Sequence, residues 1–464
     1  MRINFYPNQF ICKSPFCFTV LFLLTLIFFK NPQNVASQSN VNGLLQNYNA
    51  FQTTNERELI AGRNRLKLQF TRPSESGGLY FETDLVNRYN GSGAFIVDNE
   101  VQIRELYFER FLDSYDIRVG KQNIIWGRSD GGFVTDILTP VDLREFLTQE
   151  PEDLRIGLTA LSITRYFGGN SLQFVLSPTF QRDLFPAPDA RWFPVNDIPS
   201  PIPVEFIEDD SPSTLSDIQA AVQYRIRSIS NLDLDLMLYY WTHPMPTFAV
   251  EPNFFNPPNL PSVDLIETYQ PSLMGGYSLN YELGSDWFLT SESLFVKNRL
   301  FTFLPVSVNL LESALNDVGS AIQVLQQFEL RDDGYLVEKP WIQNMVGLQT
   351  SVKGTIISAQ AYLETILNYE ERILPQQYFP YATLLLTRSF MRDRLQVLSL
   401  GRYNFYGEDF WFQLQGIYEI SDGLEFAAGT NLFYGEEVSP FYGHFSFNQF
   451  KENSFFFTRL SYYF

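Results

Sequence analysis

From Asn64 onward most segments of the chain alternate apolar and polar residues with a period of two, and turn residues or long, polar, proline-rich stretches separate them. In 217–227, Ile218, Ala220, Val222, Tyr224 and Ile226 fall on one face, and Gln219, Ala221, Gln223, Arg225 and Arg227 on the other. Beyond the Ser228–Ser230 turn, Leu232, Leu234, Leu236, Leu238 and Tyr240 oppose Asp233, Asp235, Met237, Tyr239 and Trp241. The same rhythm sets Leu66, Leu68 and Phe70 against Arg65, Lys67 and Gln69, and Phe412, Leu414, Tyr418 and Ile420 against Gln413, Gln415 and Glu419. This spacing predicts about 18 strands, within a range of about 16–18 and even in number as bacterial single-chain barrels require. They fall near 43–51, 61–72, 78–90, 100–111, 115–126, 154–167, 170–181, 216–228, 231–243, 271–283, 286–298, 339–352, 355–368, 380–391, 395–406, 410–420, 424–434 and 453–464. The long connections 127–153, 182–215, 244–270 and 299–338 then share one side, and 441–450 belongs to the last external loop.

Alternation alone also suits a soluble sandwich. Segment length separates the two, because these runs approach the roughly 9–11 residues of a tilted membrane-crossing strand, while soluble strands usually have about 5–6. Connections alternate between tight and long, the asymmetry of a barrel with short periplasmic turns and long external loops. Aromatic residues gather at segment ends, as in Leu238-Tyr239-Tyr240-Trp241 and Phe410-Trp411-Phe412, which suits an interfacial girdle. The last residues place Phe464, Tyr462 and Leu460 on one face. A terminal strand ending in Phe resembles the signal read by the barrel assembly machinery, and closing the barrel covers what would be a hazardous aromatic edge. The fold class expected is therefore all-β, a transmembrane antiparallel barrel.

One connection changes period. Val308, Leu311, Leu315, Val318, Ile322 and Leu325 are spaced 3, 4, 3, 4 and 3, which predicts one amphipathic helix of about four to five turns, a candidate for constricting the lumen or lying over the rim. The loops 182–215 and 244–270 are proline-rich and carry Trp192, Phe193, Phe254 and Phe255, residues that either dock an apolar solute or pack the loops on each other at the barrel mouth.

Composition sharpens this picture. Aromatic residues make up 16 % of 464, while there are 2 His and 2 Cys, which argues against a metalloenzyme, and no cofactor is expected. A formal net charge of −19 excludes a nucleic-acid partner. Arg2, Lys13, the apolar run Phe16–Phe29 and the small residues Val35-Ala36-Ser37 read as a secretory signal peptide over 1–37, followed by a single barrel over 38–464. Both cysteines, Cys12 and Cys17, fall within the leader, so no disulfide is expected in the barrel.

The chemistry of a channel lies in the polar face. The register predicts that Arg65, Lys67, Arg118, Gln122, Arg225, Arg227, Asp233, Asp235, Glu364, Arg402, Gln413, Glu419 and Arg459 line the lumen, where charges select solutes. Cross-strand pairing of Arg225 and Arg227 with Asp233 and Asp235 is the plainer alternative. The acidic runs Glu150-Pro151-Glu152-Asp153 and Glu208-Asp209-Asp210 are expected in external loops, binding divalent cations that bridge lipopolysaccharide, favouring cation entry, or only solvated. His243 and His444 have no nucleophile or base motif around them, and no enzymatic activity is expected.

Asp116-Ile117-Arg118-Val119-Gly120-Lys121-Gln122-Asn123-Ile124-Ile125-Trp126-Gly127, followed by Leu138-Thr139-Pro140-Val141-Asp142-Leu143-Arg144 and Pro151-Glu152-Asp153-Leu154-Arg155, resembles a porin-like family of Gram-negative outer-membrane barrels, many of them catalogued only as a domain of unknown function. The likeness is specific over about residues 100–165 and at Phe464. It implies an outer-membrane channel for passive, partly selective passage of small solutes, with outer-membrane lipid and lipopolysaccharide, the barrel assembly machinery and a small-molecule solute as partners, and either a monomer or a homotrimer. An export channel for lipid-like molecules and a structural barrel with a closed lumen stand as alternatives.

Overall fold

A computed structural model describes residues 39–54, 58–89, 98–145, 147–188, 190–193, 203–208, 217–253, 262–314, 317–329, 331–436 and 446–464. The expected signal peptide lies outside these residues. Among the described residues twenty-one strands follow in chain order: β1 (Asn40–Gln52), β2 (Leu59–Ser74), β3 (Gly77–Tyr89), β4 (Asp98–Leu112), β5 (Tyr115–Gln122), β6 (Leu158–Phe167), β7 (Asn170–Ser177), β8 (Val204–Ile207), β9 (Gln219–Ile226), β10 (Leu232–Thr242), β11 (Thr247–Asn253), β12 (Ser262–Thr268), β13 (Pro271–Glu282), β14 (Trp287–Thr302), β15 (Leu336–Val352), β16 (Thr355–Ile366), β17 (Tyr378–Phe390), β18 (Leu395–Asn404), β19 (Asp409–Ser421), β20 (Leu424–Tyr434) and β21 (Phe455–Tyr463). Eighteen of them form one sheet, each hydrogen-bonded to its neighbours, and β8, β11 and β12 form a separate three-stranded sheet.

The large sheet closes on itself. β21 runs antiparallel to β1 from Leu44↔Tyr463 to Gln52↔Phe455, so no edge is left unpaired. Tight turns such as 75–76, 113–114, 353–354 and 422–423 gather at the end where β1 begins, and the long connections gather at the other. By that asymmetry the short-turn end is periplasmic. The β6–β7 turn shows why residue type matters there, because Gly168 and Gly169 take φ of 57° and 81°.

Alternation decides which side each residue faces. Leu236, Leu238, Tyr240 and Leu273 are exposed on the outer wall, while Met237, Tyr239, Trp241 and Met274 between them are buried inside. An outer wall this apolar is a lipid-facing surface. It is interrupted on β1 to β4, where Asn47, Asn64, Asn87 and Asn99 lie side by side and hydrogen-bond in a row at 2.8, 3.2 and 3.0 Å. Just below them Leu45, Leu66, Leu85 and Val101 form an apolar row.

Three expectations are corrected. Strand β5 ends at Gln122 rather than 126 and β6 begins at Leu158 rather than 154, because the intervening chain leaves the wall and its backbone groups pair within the lumen, as Ile124 N does with Thr139 Oγ1 at 2.9 Å. The proline-rich loops are not wholly irregular, since β8, β11 and β12 pair within them. The single helix is two, α1 (Val308–Ala314) and α2 (Val318–Leu325). Asp317 breaks it, taking an extended conformation and capping α2 by accepting a hydrogen bond from Ser320 N. Leu315 lies outside the described residues. Val318 is exposed, Ile322 is half-buried, and the buried stripe is Ala314, Ala321, Val324 and Leu325 with Leu311 beside it, packed on Val250, Leu304, Val306, Phe328 and Tyr335.

A segment folded across the lumen

The lumen is crossed by 123–157, the connection between β5 and β6, and polar side chains of the inner wall hold it at several points. On one side Glu292 of β14 accepts from Thr135 Oγ1 at 3.0 Å and from the Arg128 backbone N–H, while the Arg128 guanidinium reaches Asp235 of β10 at 3.2 Å. Farther round, Asp130 accepts from Ser358 Oγ of β16 at 2.6 Å and from Gln360 Nε2 at 3.0 Å. Tyr362 Oη accepts from Gly131 N at 3.2 Å. Arg402 of β18 donates to Gly131 O at 3.5 Å and lies 4.0 Å over the Tyr381 ring.

The returning half is anchored by charge. Arg63, Arg65 and Lys67 alternate onto the inner face of β2 opposite a run of acids. Glu145 pairs with Arg63 and with Arg88 of β3. Asp153 pairs with Arg65 and, at 2.8 Å, with Lys67, and its carbonyl accepts from Arg104 of β4. Glu150 pairs with Arg459 of β21. Burial opposes ionisation of Glu145, but the guanidinium groups of Arg63 and Arg88 outweigh it and hold its carboxyl down at about 2. Burial likewise opposes ionisation at Asp153, and Arg65 and Lys67 override it, holding that carboxyl well below the usual range. At Asp136, within the same segment, burial outweighs Arg155 and the Trp126 N–H and pushes the carboxyl up.

Apolar packing completes the anchoring. Ile124, Trp126, Val134, Ile137 and Leu138 are buried with the inner-wall residues Tyr239, Trp241, Met274, Leu294, Trp341 and Met345. Trp126 lies tilted on Tyr239 at 5.4 Å and donates through Nε1 to Gln173 Oε1 at 3.1 Å. Toward the periplasm a cavity of about 670 Å³ remains under the start of the segment, lined by Trp126, Arg128, Gln223, Arg225, Arg227 and Asp235. A smaller one of about 250 Å³ adjoins it through Trp126, Tyr166 and Arg225, and adds Arg118 and Gln122.

The candidate lumen residues therefore separate into groups. Arg65, Lys67 and Arg459 anchor the crossing segment, with Arg65 and Arg459 buried. Arg118, Gln122, Arg225, Arg227 and Asp235 surround the two cavities, and Asp233 joins them through Arg227 at 3.3 Å. Arg227 also pairs with Asp235 at 2.6 Å, whereas Arg225 donates to the neutral Gln223 and Gln173 at 2.6 and 2.8 Å. Arg118 pairs with Glu109 at 3.2 Å and lies 4.4 Å over Tyr107. Gln413 and Glu419 face inward from β19 and Glu364 from β16, apart from both groups. Leu460, Tyr462 and Phe464 are exposed on the outer wall, with the Phe464 ring across the seam against Gly43.

Glu150 and Asp153, in the external connection as expected, are neither merely solvated nor open to a divalent cation, because the loop folds inward and pairs them with the cationic inner wall. Glu208 stays outside and pairs with Arg182 at 2.8 Å, and Asp209 and Asp210 lie outside the described residues. Sequence reasoning did not find Glu145, Asp130 or Glu292. The available signal was the complementarity between alternating Arg63, Arg65 and Lys67 and the acid-rich stretch 145–153. Trp192 packs on Phe433, Phe450 and Phe455, and Phe193 on Phe206, so these loop aromatics are occupied within the barrel mouth. His243 stacks edge-on against Trp341, and burial with the nearby Arg299 pushes its pKa well down. His444 lies outside the described residues. Among the described residues no group of three or more His, Cys, Asp or Glu is placed to hold a metal ion.

A closed antiparallel barrel of 18 strands with a lipid-facing outer wall and an inward-folded segment is the architecture of an outer-membrane β-barrel. No protein-family model matches the chain, and no curated protein does. Among solved structures it is similar to OccAB3 of Acinetobacter baumannii (8 % identity, TM-score 0.48, 92 % of this chain and 99 % of that one). It is similar also to OccD3 of Pseudomonas aeruginosa (8 % identity, TM-score 0.49, 93 % and 92 %) and to the outer membrane protein OpdK of Pseudomonas aeruginosa (9 % identity, TM-score 0.47, 92 % and 99 %). At this distance the functional reading rests on the barrel's own residues.

Proposed function

We propose that the chain is an outer-membrane channel for passive, partly selective passage of small solutes, with 123–157 as its constriction. The observation that carries the proposal is the attachment of that segment to opposite inner walls, at Asp130 and Glu292 on one side and at Glu145, Glu150 and Asp153 on the other. A barrel of about 18 strands otherwise leaves a wide aqueous lumen, and only a structure fixed inside it can discriminate solutes by size. Arg118, Arg225, Arg227, Asp233 and Asp235 beside the remaining cavities are then the residues a passing solute meets, and Glu364, Arg402, Gln413 and Glu419 line the wall beyond. No step of chemistry is involved, so the chain acts as a channel rather than an enzyme. It reaches the outer membrane by way of the 1–37 leader and the assembly machinery, which reads the Leu460, Tyr462 and Phe464 face. Lipopolysaccharide surrounds the external part of the barrel.

A closed barrel is the second reading, favoured by the apolar packing of Trp126, Ile137 and Leu138 against the inner wall. The export of hydrophobic molecules loses the support of Trp192 and Phe193, which are buried rather than presented to a solute, while Phe254 and Phe255 lie outside the described residues. Purified protein in planar bilayers should give discrete conductance steps, and replacing 129–134 by a Gly-Ser stretch of equal length should enlarge them. Silence from both proteins would establish the closed barrel.

A further inference from the structure

Four cations stand together on the periplasmic rim where two neighbouring hairpins end. Lys353 occupies the β15–β16 turn, and Arg388, Arg392 and Arg394 flank or occupy the β17–β18 turn. The hairpins adjoin, because β16 pairs with β17 with Thr355 opposite Arg388, and Arg388 Nη1 donates to Thr355 Oγ1 at 3.5 Å. All four side chains are exposed. Among the described residues none of the four is within ion-pair distance of a carboxylate, although Asp393 lies in the turn and Glu419 and Asp422 in the next hairpin. Arg394 donates to the backbone carbonyls of Glu419 and Ile420 at 3.0 and 2.8 Å and lies 5.5 Å over the Tyr418 ring, and Arg388 lies 5.0 Å over Phe390. Asp393 is the one carboxylate in the runs 350–356 and 386–396, in a chain whose net charge is −19.

Large apolar side chains surround these charges. Val352, Phe390 and Met391 are exposed, Met391 to 66 %, and they continue the lipid-facing wall down to the turn. The turn itself holds three successive residues at left-handed φ without a glycine, Met391 at 55°, Arg392 at 58° and Asp393 at 67°. Such a conformation is costly for L side chains and recurs where function maintains it. A surface that is apolar toward the membrane core and cationic at its water edge fits one kind of molecule, an acyl chain ending in a phosphate.

We propose that the rim formed by Lys353, Arg388, Arg392 and Arg394 binds the phosphodiester head groups of anionic phospholipids in the periplasmic leaflet, with Val352, Phe390 and Met391 against their acyl chains. The site is continuous with the membrane-facing wall and is independent of what the lumen conducts.

The test is native mass spectrometry, with parallel thermal melts, of the full barrel in detergent titrated with cardiolipin, phosphatidylglycerol or phosphatidylcholine. Wild-type protein should retain and be stabilised by the two anionic lipids over phosphatidylcholine. The K353Q/R388Q/R392Q/R394Q variant should bind them roughly tenfold more weakly or worse, given the attraction of each basic residue to an anionic surface. Arg392→Gln alone, at the tip of the turn, covers the case in which the quadruple variant does not assemble, and should show a smaller loss of the same kind. Arg72→Gln/Arg110→Gln/Arg165→Gln, elsewhere on this rim, should leave retention unchanged. Equal retention of phosphatidylcholine, equal loss in the triple variant, or equal stabilisation by inorganic phosphate at matched concentration would each overturn the proposal.

Discussion

Asp153 holds two cations of the inner wall, and its replacement by Asn leaves Arg65 facing Asp84 alone. Breaking a buried ion pair from one side is worth about 3–5 kcal/mol. Asp153→Asn should therefore lower the thermal midpoint of the barrel and make conductance noisier as the returning half of the segment loosens, measured by melts in detergent and by single-channel recording. A different carboxylate joins two loops: Asp183 Oδ1 accepts from Val141 N at 2.8 Å beside a short bridge in which Leu184 N donates to Val141 O at 2.9 Å. Burial outweighs that N–H and pushes the Asp183 carboxyl up to about 7. A carboxyl with a raised folded pKa favours folding below its unfolded value near 4, and this contribution declines as pH rises from there through about 7. Asp183→Asn should melt above wild type at pH 8, by the equivalent of up to about 4 kcal/mol, and match it near pH 4. At the seam Phe464 covers Gly43, where an added Cβ would meet the ring at 2.2 Å, and their backbones exchange hydrogen bonds at 2.8 and 3.0 Å. Phe464→Ser should reduce the yield of assembled barrel, read as the heat-modifiable band on a gel, and an unchanged yield would leave the ring with an anchoring role only.

Among the elements, the strands were legible because membrane crossing leaves each residue only two environments, lipid or lumen, and the alternation records which one. β20 lies where the alternation put it, at Leu424–Tyr434, and β13 differs by one residue. What the alternation could not show was where irregular chain goes once it leaves the wall. Residues 123–126 continue an apolar run that extends β5 on paper, but Ile124 and Trp126 bury themselves in the lumen instead. The 3–4 spacing of 308–325 correctly signalled helix, while Asp317 offered a cap that one continuous helix would have left unused. Placement was also hidden, since the stripe of α1 and α2 meets Val250, Leu304 and Val306 of the external connections at the outer end of β14 rather than inner-wall residues. Deleting 306–328 should accordingly leave conductance unchanged, whereas replacing 129–134 should raise it. The Glu145 pairs with Arg63 and Arg88 should resist acid, because Glu145, with its folded pKa held at about 2, keeps its full contribution above an unfolded value near 4.5 and loses it as pH falls from there through about 2, whereas Asp136, pushed up by burial, protonates sooner. Glu145→Gln should thus lower the thermal midpoint at pH 7 and lose that effect toward pH 2, measured by melts in detergent.

For the whole molecule, closure of the hydrogen-bonded sheet makes unfolding an all-or-none event, since opening any seam exposes two unpaired strands to lipid. Circular dichroism in detergent should show β-sheet as the main regular structure and boiling should be needed to unfold it; a helical spectrum would contradict the fold. Cell fractionation should place the chain in the outer membrane, and recovery as a soluble periplasmic protein would refute the lipid-facing wall. Closure and even strand number were readable from the sequence, because they follow from counting segments. The inner charge pairs were readable only where a tight turn joins the partners, as at Arg227 and Asp235, and not where Arg65 meets Asp153 across 88 residues. The row Asn47, Asn64, Asn87 and Asn99 gives the barrel unequal sides, for on β1 to β4 the continuous greasy height ends at Leu45, Leu66, Leu85 and Val101, short of Phe51, while on β10 it runs unbroken from Leu232 to Tyr240. A cylinder with a shorter apolar span on one flank meets a bilayer of even thickness by leaning or by thinning the lipid beside that flank. Spin labels at Leu45 and Leu236 would report it as different immersion depths, and substituting Leu for the four asparagines should bring the axis upright.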